Sequence, residues 1–385
     1  MSAPTGPRAA RIPPELRDEF LQASRYAASD LLLAQGSGGN TSAKSVELGV
    51  LWVKASGVRM ADISADSGYV HASLTALLDA LRDPALEILS PRDAHEESVR
   101  RFQLTVAEGQ SLRPSLETGF HAVLGRVVLH THPVYSNAFA CMRDGHVALD
   151  AALPGETLWV AYAAPGYALG RAVDRACAAS GAVSVVLENH GHIASATTAH
   201  DAIAMTDRVI AAARATFGEV PEGCTRRLSA PTALANWADE LGQALRRRFP
   251  ESGFTVTPAT LGGLAELSSR PERWQSIGAL VPDDVVYGPS AILVAQISDS
   301  PAAWVERHLA GAPEKLAIIV AGQGVVLVAH NAALARTMEE NLLANVLVRT
   351  LVERRGTVRT LPREEVEYLQ SMESEKYRQK VVGAR

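Results

Sequence analysis

Val127-Val128-Leu129-His130-Thr131-His132-Pro133 is an apolar run ending in two histidines one residue apart. About sixty residues later, Val183-Ser184-Val185-Val186-Leu187 leads in the same way into Glu188-Asn189-His190-Gly191. Both runs read as buried strands closed by a turn. Alternate residues of a strand share a face, so His130 and His132 aim two imidazoles at one point. An imidazole from the end of a second strand, His190, would complete a three-histidine site with one open position. That is the arrangement expected of a catalytic divalent metal. A single H-x-H also occurs among ordinary core or surface histidines; here both segments sit at strand ends, which favours the metal.

The surrounding chain sets the frame. At 385 residues it is too long for one typical domain, and two are the default. Hydrophobic residues make up 47% and charged residues 21%, enough for a large core. Aromatics are only 5%, so Ala, Val and Leu must build it. The net charge of -5 comes with no basic stripe, which argues against a nucleic-acid partner. Arg246-Arg247-Arg248 reads as a solvated helix face. No apolar stretch is long enough to span a membrane, and Met1–Ile12 lacks a signal-peptide core. Cys141, Cys177 and Cys224 are odd in number and widely spaced, unlike a disulfide framework. A soluble, cytoplasmic setting is expected.

Residues 1–13 read as a flexible tail. Pro14 opens a helical pattern through Leu16, Phe20, Tyr26, Leu31 and Leu32, ending at Gln35-Gly36. A glycine loop, Gly36-Ser37-Gly38-Gly39-Asn40, follows, then a strand at Leu51–Val53 and a helix over Leu74–Arg82. Further helices are expected over Glu117–Leu124, Asn137–Asp144, Ala172–Ser180 and Ala199–Thr216, with a strand at Leu158–Tyr162. Strands and helices alternate, giving an α/β class. A boundary near Phe217–Thr232 divides residues 14–225 from a second part, 226–385. That part has helices over Ala233–Arg248 and Ala333–Glu353, strands near Val285–Val286, Ile292–Gln296 and Leu316–Val320, and a surface helix from Pro362 to Arg385. It also holds a faint echo. Aligning Gly191 with Gly324 places Gln323 where His190 stands, as in a decayed copy without metal ligands.

Five separated pieces occur in a familiar order: Gly38-Gly39-Asn40-Thr41-Ser42, Lys54-Ala55-Ser56-Gly57, Arg113-Pro114-Ser115-Leu116-Glu117 with His121, the His130/His132 pair, and Asn189-His190-Gly191. Together they resemble the class II aldolase/adducin family of fuculose- and rhamnulose-phosphate aldolases, over residues 14–216. The segment Trp159–Tyr167 and the phrase Val281-Pro-Asp-Asp-Val285 are similar to its long members, which carry an extra C-terminal part. The resemblance implies a three-layer αβα domain around a mixed, largely antiparallel sheet, with a smaller α+β domain behind it. It implies His130, His132 and His190 as ligands of a divalent metal, most often Zn, with Mn, Co or Fe as alternatives. Glu117 falls at the position of the family's catalytic glutamate. Gly39, Asn40, Ser56, Gly57 and Ser115 fall at positions that hold the far end of the substrate. The family has a serine pair before the glutamate; this chain has Ser115 but Leu116, which weakens the case for a phosphorylated substrate, although Arg113 or Lys54 could supply charge instead. A homo-oligomer, commonly a tetramer, acting on a small molecule is implied.

The expected chemistry follows from residue types. Imidazoles suit zinc and other first-row divalent ions. Such an ion, with an open position, stabilises the enediolate left when a carbon–carbon bond breaks beside a carbonyl, and a nearby carboxylate moves the proton. The leading reading is a metal-dependent lyase performing aldol cleavage or condensation on a small hydroxy-carbonyl or sugar (phosphate) compound. Decarboxylation, dehydration or epimerisation could use the same metal, although the epimerase branch has an aspartate at the place of Glu117. A non-catalytic, adducin-like assembly role is disfavoured because adducin lacks the histidines. Tyr135, Tyr162 and Tyr167 are candidate proton donors; His192 and His121 are read as neighbours of the site rather than ligands. No glycine-rich dinucleotide fingerprint is present, since Gly322-Gln323-Gly324 lacks the third glycine.

Overall fold

A computed structural model describes residues 12–178, 183–372 and 377. The expected tail lies outside them up to residue 11, as do the last two residues of the expected helix Ala172–Ser180 and half of the expected C-terminal helix. Ile12, expected in the tail, instead packs with Leu16, Phe20 and Trp52.

Seven strands form the larger sheet: β1 (Asn40–Ser45), β2 (Val50–Lys54), β3 (Tyr69–Ser73), β4 (Val127–Thr131), β5 (Leu158–Val160), β6 (Val183–Leu187) and β7 (Gly191–Ala196). Their order is β3-β2-β1-β4-β7-β6-β5, with only the β5–β6 pair parallel. Every residue of β2, β4, β6 and β7 is buried, as a sheet covered on both faces requires. Leu129 and Ala194 pack on one face with Ala27 and Ala202, from the helices Pro14–Ala28 and Ala199–Phe217. Val128 and Ile193 pack on the other with Phe120, Leu169 and Val173, from Thr118–Val123 and Tyr167–Cys177. This is the expected three-layer αβα arrangement.

Ala199–Phe217 shows why such helices form here. Ala202, Thr206, Val209, Ala213 and Phe217 recur at helical spacing and are buried. Thr198 caps its start by accepting from Asp201 N–H, a contribution of about 1 kcal/mol.

A second, smaller sheet has the order β8-β11-β10-β9, formed by β8 (Thr255–Pro258), β9 (Ala291–Ala295), β10 (Lys315–Val320) and β11 (Gly324–Ala329). It repeats the plan of β4-β7-β6-β5. In each, the first two neighbouring pairs are antiparallel and the last is parallel. In each, a helix connects the two parallel strands: Tyr167–Cys177 in one, Pro301–His308 in the other. In each, a three-residue turn joins the central hairpin, pairing Leu187 with Gly191 and Val320 with Gly324. The middle residue of each turn is left-handed, Asn189 at φ 49° and Gly322 at φ 68°. Each hairpin then enters a long helix capped by a side chain, Thr198 or Asn331, accepting from the N–H three residues on.

The second of these helices, Ala332–Val352, is buried nearly all round. Its Met338, Leu342, Val346 and Leu351 join Val134, Phe139, Val209 and Phe217 in one core. The two sheets therefore share an interior.

Several element boundaries differ from expectation. The first helix stops at Ala28 rather than Gln35. Ser29 Oγ donates to Tyr26 O and Asp30 accepts from Leu32 N–H, so side chains take over backbone partners and the helix ends. The expected strand at Val285–Val286 is the end of a helix, Pro282–Val286. Pro282 occupies its first turn, and Asp284 accepts from the backbone N–H of Leu280 and Val281. The expected Asn137–Asp144 helix lies earlier, at Val134–Ala140. No helix among the described residues is long and apolar enough to cross a membrane.

Candidate metal centre

His130 leaves β4 on the same face as Val128, and its ring meets Phe120 edge-on at 5.3 Å. That face looks toward the helix Thr118–Val123, whose N-terminal neighbour is Glu117. His132 follows one residue past the end of β4, and His190 closes the β6–β7 turn. The strand alternation that suggested a common target holds. The three rings lie 4.9–5.2 Å apart, and one nitrogen from each falls within 4.8 Å of the others. All three are buried.

The rings present the same edge inward. His132 Nε2 is 3.1 Å from His130 Nε2; His190 Nε2 is 3.0 Å from Glu117 Oε1; His130 Nε2 is 3.7 Å from Glu117 Oε2. Three Nε2 atoms and one carboxylate thus converge. Room for them comes from Gly191. A Cβ there would stand 2.6 Å from His132 Cδ2 and from Thr131 O. The outward Nδ1 atoms are held differently. His130 Nδ1 pairs with the carbonyl of His192 at 3.0 Å, and His132 Nδ1 stands 3.0 Å from Asp283 Oδ2.

Electrostatics fit the same use. Burial pushes the Glu117 carboxyl up, but His130, His190 and His132 together outweigh it and hold it well below the usual carboxylate range. Burial, aided by the other two imidazoles, holds His130 well below an ordinary histidine, against the pull of Glu117. An ionised carboxylate beside a neutral imidazole is the protonation state that metal binding needs. The donor set of three imidazole nitrogens and a carboxylate suits zinc and its first-row neighbours, so the residues present fit a divalent ion.

The other expected residues fall into two groups. Asn40 opens β1 opposite His130, and its amide donates to Glu117 Oε2. Gly39 precedes it in a left-handed conformation. Asn40 is therefore tied to the carboxylate. Ser56, Gly57 and Ser115 are gathered by a bridge pairing Ala55 with Pro114 and a bond from Ser56 N–H to Arg113 O, and Ser115 Oγ accepts from the N–H of Glu117. Ser56 and Ser115 line a cleft of about 30 Å³ with Val99, Phe102, Pro114 and Leu116. The Arg113 guanidinium lies over the Tyr377 ring at its edge, 4.2 Å from the centroid.

Neighbouring histidines take supporting roles. His192 turns its ring to Ser184, and burial lowers its pKa to about 3. His121 pairs with Ser42 Oγ at 2.7 Å, and burial, partly offset by Glu117, likewise takes it to about 3. The candidate tyrosines scatter. Tyr135 donates to Glu219, Tyr162 packs with Leu361 and Leu369, and Tyr167 joins the Leu77–Leu81 cluster.

Sequence reasoning missed how much the second part contributes. Asn189 Nδ2 donates to the carbonyls of Leu280 and Arg359, and Arg359 pairs with Glu188. Gly36 N–H donates to Glu340, which also binds Arg59, and Ser37 Oγ meets Tyr287 OH at 2.6 Å. The Pro282 helix start was the available signal.

Counting along the matched registers gives the counterpart of each ligand. His130 pairs with Ile193 as Pro258 pairs with Val326, so Pro258 and Thr260 stand at the places of His130 and His132, and Gln323 at that of His190. Thr260 is bonded to Glu339 and Arg227.

Similarity to known proteins falls in the first part of the chain. A family model, class II aldolase and adducin N-terminal domain, matches residues 18–217. An uncharacterized oxidoreductase, YuxG of Bacillus subtilis (strain 168), is 30% identical over 214 residues. The alignment covers 53% of this chain but 30% of YuxG, so the chain spans less than a third of that protein. Among solved structures, the N-terminal class II aldolase domain of a conserved Thermoplasma acidophilum protein is 23% identical. It covers 56% of this chain and 99% of its own, with a TM-score of 0.46. An L-fuculose 1-phosphate aldolase is 19% identical over 55% of this chain and 93% of its own, with a TM-score of 0.39. With the model matching more than half of its length, the chain belongs to the class II aldolase and adducin N-terminal domain family.

Proposed function

We propose that the protein is a divalent-metal-dependent lyase that breaks or forms a carbon–carbon bond in a small hydroxy-carbonyl compound. The observation that carries this reading is the convergence of three buried Nε2 atoms and the Glu117 carboxylate. His130, His132 and His190 would hold the ion, with zinc the best match to their chemistry. A divalent ion there supplies Lewis-acid stabilisation of negative charge developing on a carbonyl-derived oxygen. Glu117 is the base: its carboxyl is held below the usual carboxylate range, lies 3.0 Å from His190 Nε2 and 3.7 Å from His130 Nε2, and can take and return the substrate proton. Asn40 orients it through the amide contact. Ser56, Gly57 and Ser115 would hold the far end of the substrate. The cleft at the two serines has an apolar wall of Val99, Phe102, Pro114 and Leu116 beside the polar side chains of Gln103 and Arg113, so a charged and an uncharged substrate end are both to be tried.

Residues 14–225 are then the catalytic part, and 226–385 a degenerate half-copy of it that has lost the ligands and become a support. Aldol cleavage of paired phosphorylated and unphosphorylated hydroxy-carbonyl compounds, with bound metal measured alongside, tests the reading. Cleavage should vanish with a chelator and return with zinc. Glu117→Gln should keep substantial bound metal while slowing turnover by roughly 10²- to 10⁴-fold. Cleavage indifferent to both changes would remove the assignment.

A further inference from the structure

The segment 280–287 lies in the second part, between β8 and β9, and is pinned from several sides. Asp284 Oδ2 accepts from Leu280 N–H, Val281 N–H and Asn345 Nδ2. Lys315 Nζ, itself buried, donates to the carbonyls of Val285 and Val286. Tyr287 OH meets Ser37 in the glycine loop of the first part. The residue this anchoring delivers is Asp283, 3% exposed, with Oδ2 at 3.0 Å from His132 Nδ1. The first part makes room for it. A Cβ on Gly38 would stand 2.2 Å from that same oxygen. A buried carboxylate costs several kcal/mol unless compensated, so a fold that builds both an anchor and a gap for one is using it.

We propose that Asp283 is a positioning residue of the metal centre. Its carboxylate, 3.0 Å from Nδ1, favours the tautomer of His132 with the proton on Nδ1 and the Nε2 lone pair toward the ion. The carbonyl of His192 does the same for His130; the carboxylate adds a negative charge that a carbonyl cannot. The metal centre is thereby assembled from both halves of the chain. This inference rests on the reading of the three histidines as ligands.

The test uses the full chain with Co²⁺ as probe, its affinity read by competition with a chelator and its coordination by visible absorption. Asp283→Ala should weaken Co²⁺ binding roughly 10- to 100-fold and alter the spectrum. Asp283→Asn should weaken it less, and Asp283→Glu should recover part of the loss. Melting of the metal-free proteins controls for folding, and the Asn variant decides if the Ala variant does not fold. Affinities of the folded Ala and Asn variants within twofold of the wild type would overturn the role of Asp283 alone. A folded wild type that binds no Co²⁺ would overturn the metal reading and this inference together.

Discussion

The hairpin β6–β7 and the hairpin β10–β11 share a register, a three-residue turn, a left-handed middle residue and a capped helix beyond, yet only one ends in an imidazole. At the three matched places one sheet carries His130, His132 and His190, the other Pro258, Thr260 and Gln323. The difference separates two things that a single copy confounds. The strand–turn–helix plan is held by backbone pairing, capping and burial, which survive the loss of the ligands. The chemistry sits in three side chains that the plan positions and does not require. At the places of the three histidines the second sheet has internal bonds instead, such as Thr260 to Glu339. Its surroundings reach back to clamp the first copy's turn through Leu280 and Arg359.

The largest effect should come from exchanging the two sets of positions. His130→Ala with His132→Ala removes two of the three imidazoles, and stoichiometric bound metal should be lost. Gln323→Ala, at the matched place, should leave metal content unchanged. Elemental analysis of both purified proteins reads the contrast, and equal loss in the two would break it.

The turns should differ more finely. Gly322→Ala places a Cβ in open space at φ 68°, so it should cost about 1–2 kcal/mol in stability from backbone strain and leave metal affinity intact. Asn189→Ala adds no Cβ and so little new strain, but it loses both bonds to the second part and frees the turn that bears His190. Denaturant midpoints should fall for both variants, and metal affinity for Asn189→Ala only.

These contrasts also mark what could be read along the chain. The His130/His132 pair was legible because a strand has period two, and His190 because it ends an apolar run. Glu117 was legible by resemblance alone; nothing in its spacing points to histidines 13 to 73 residues away. Its bond to Asn40 spans 77 residues and exists only because β1 pairs with β4. Asp283 was out of reach for a different reason. Val285–Val286 is a short apolar run, and such runs do not distinguish strand from helix by periodicity. Pro282 at the helix start was the overlooked cue. The matched turns were visible as an alignment of Gly191 with Gly324, but the left-handed residue before each and the equal strand order needed coordinates.

The effect that is smallest near neutral pH concerns the support of the site in the first sheet. His121 stays neutral in the fold down to about pH 3, whereas in the unfolded chain it takes a proton near pH 6.5. Between those values the unfolded state binds more protons. The stabilisation is therefore complete above pH 6.5 and is lost as pH falls, by less than about 1 kcal/mol at pH 6 and about 1.4 kcal/mol for each further unit. Urea midpoints of metal-free protein should fall with acid more gently in His121→Gln than in the wild type. Parallel slopes would show that His121 is not the group responsible.

The central claim, that one copy of the plan holds a metal and the other does not, is tested most directly by anomalous diffraction at the zinc edge from full-chain crystals grown with Zn²⁺. The account requires one strong peak per chain, about 2.0–2.1 Å from the Nε2 atoms of His130, His132 and His190, and none beside Pro258, Thr260 and Gln323. Well-ordered crystals with no peak at the three histidines, or with an equal one at the second set, would contradict it.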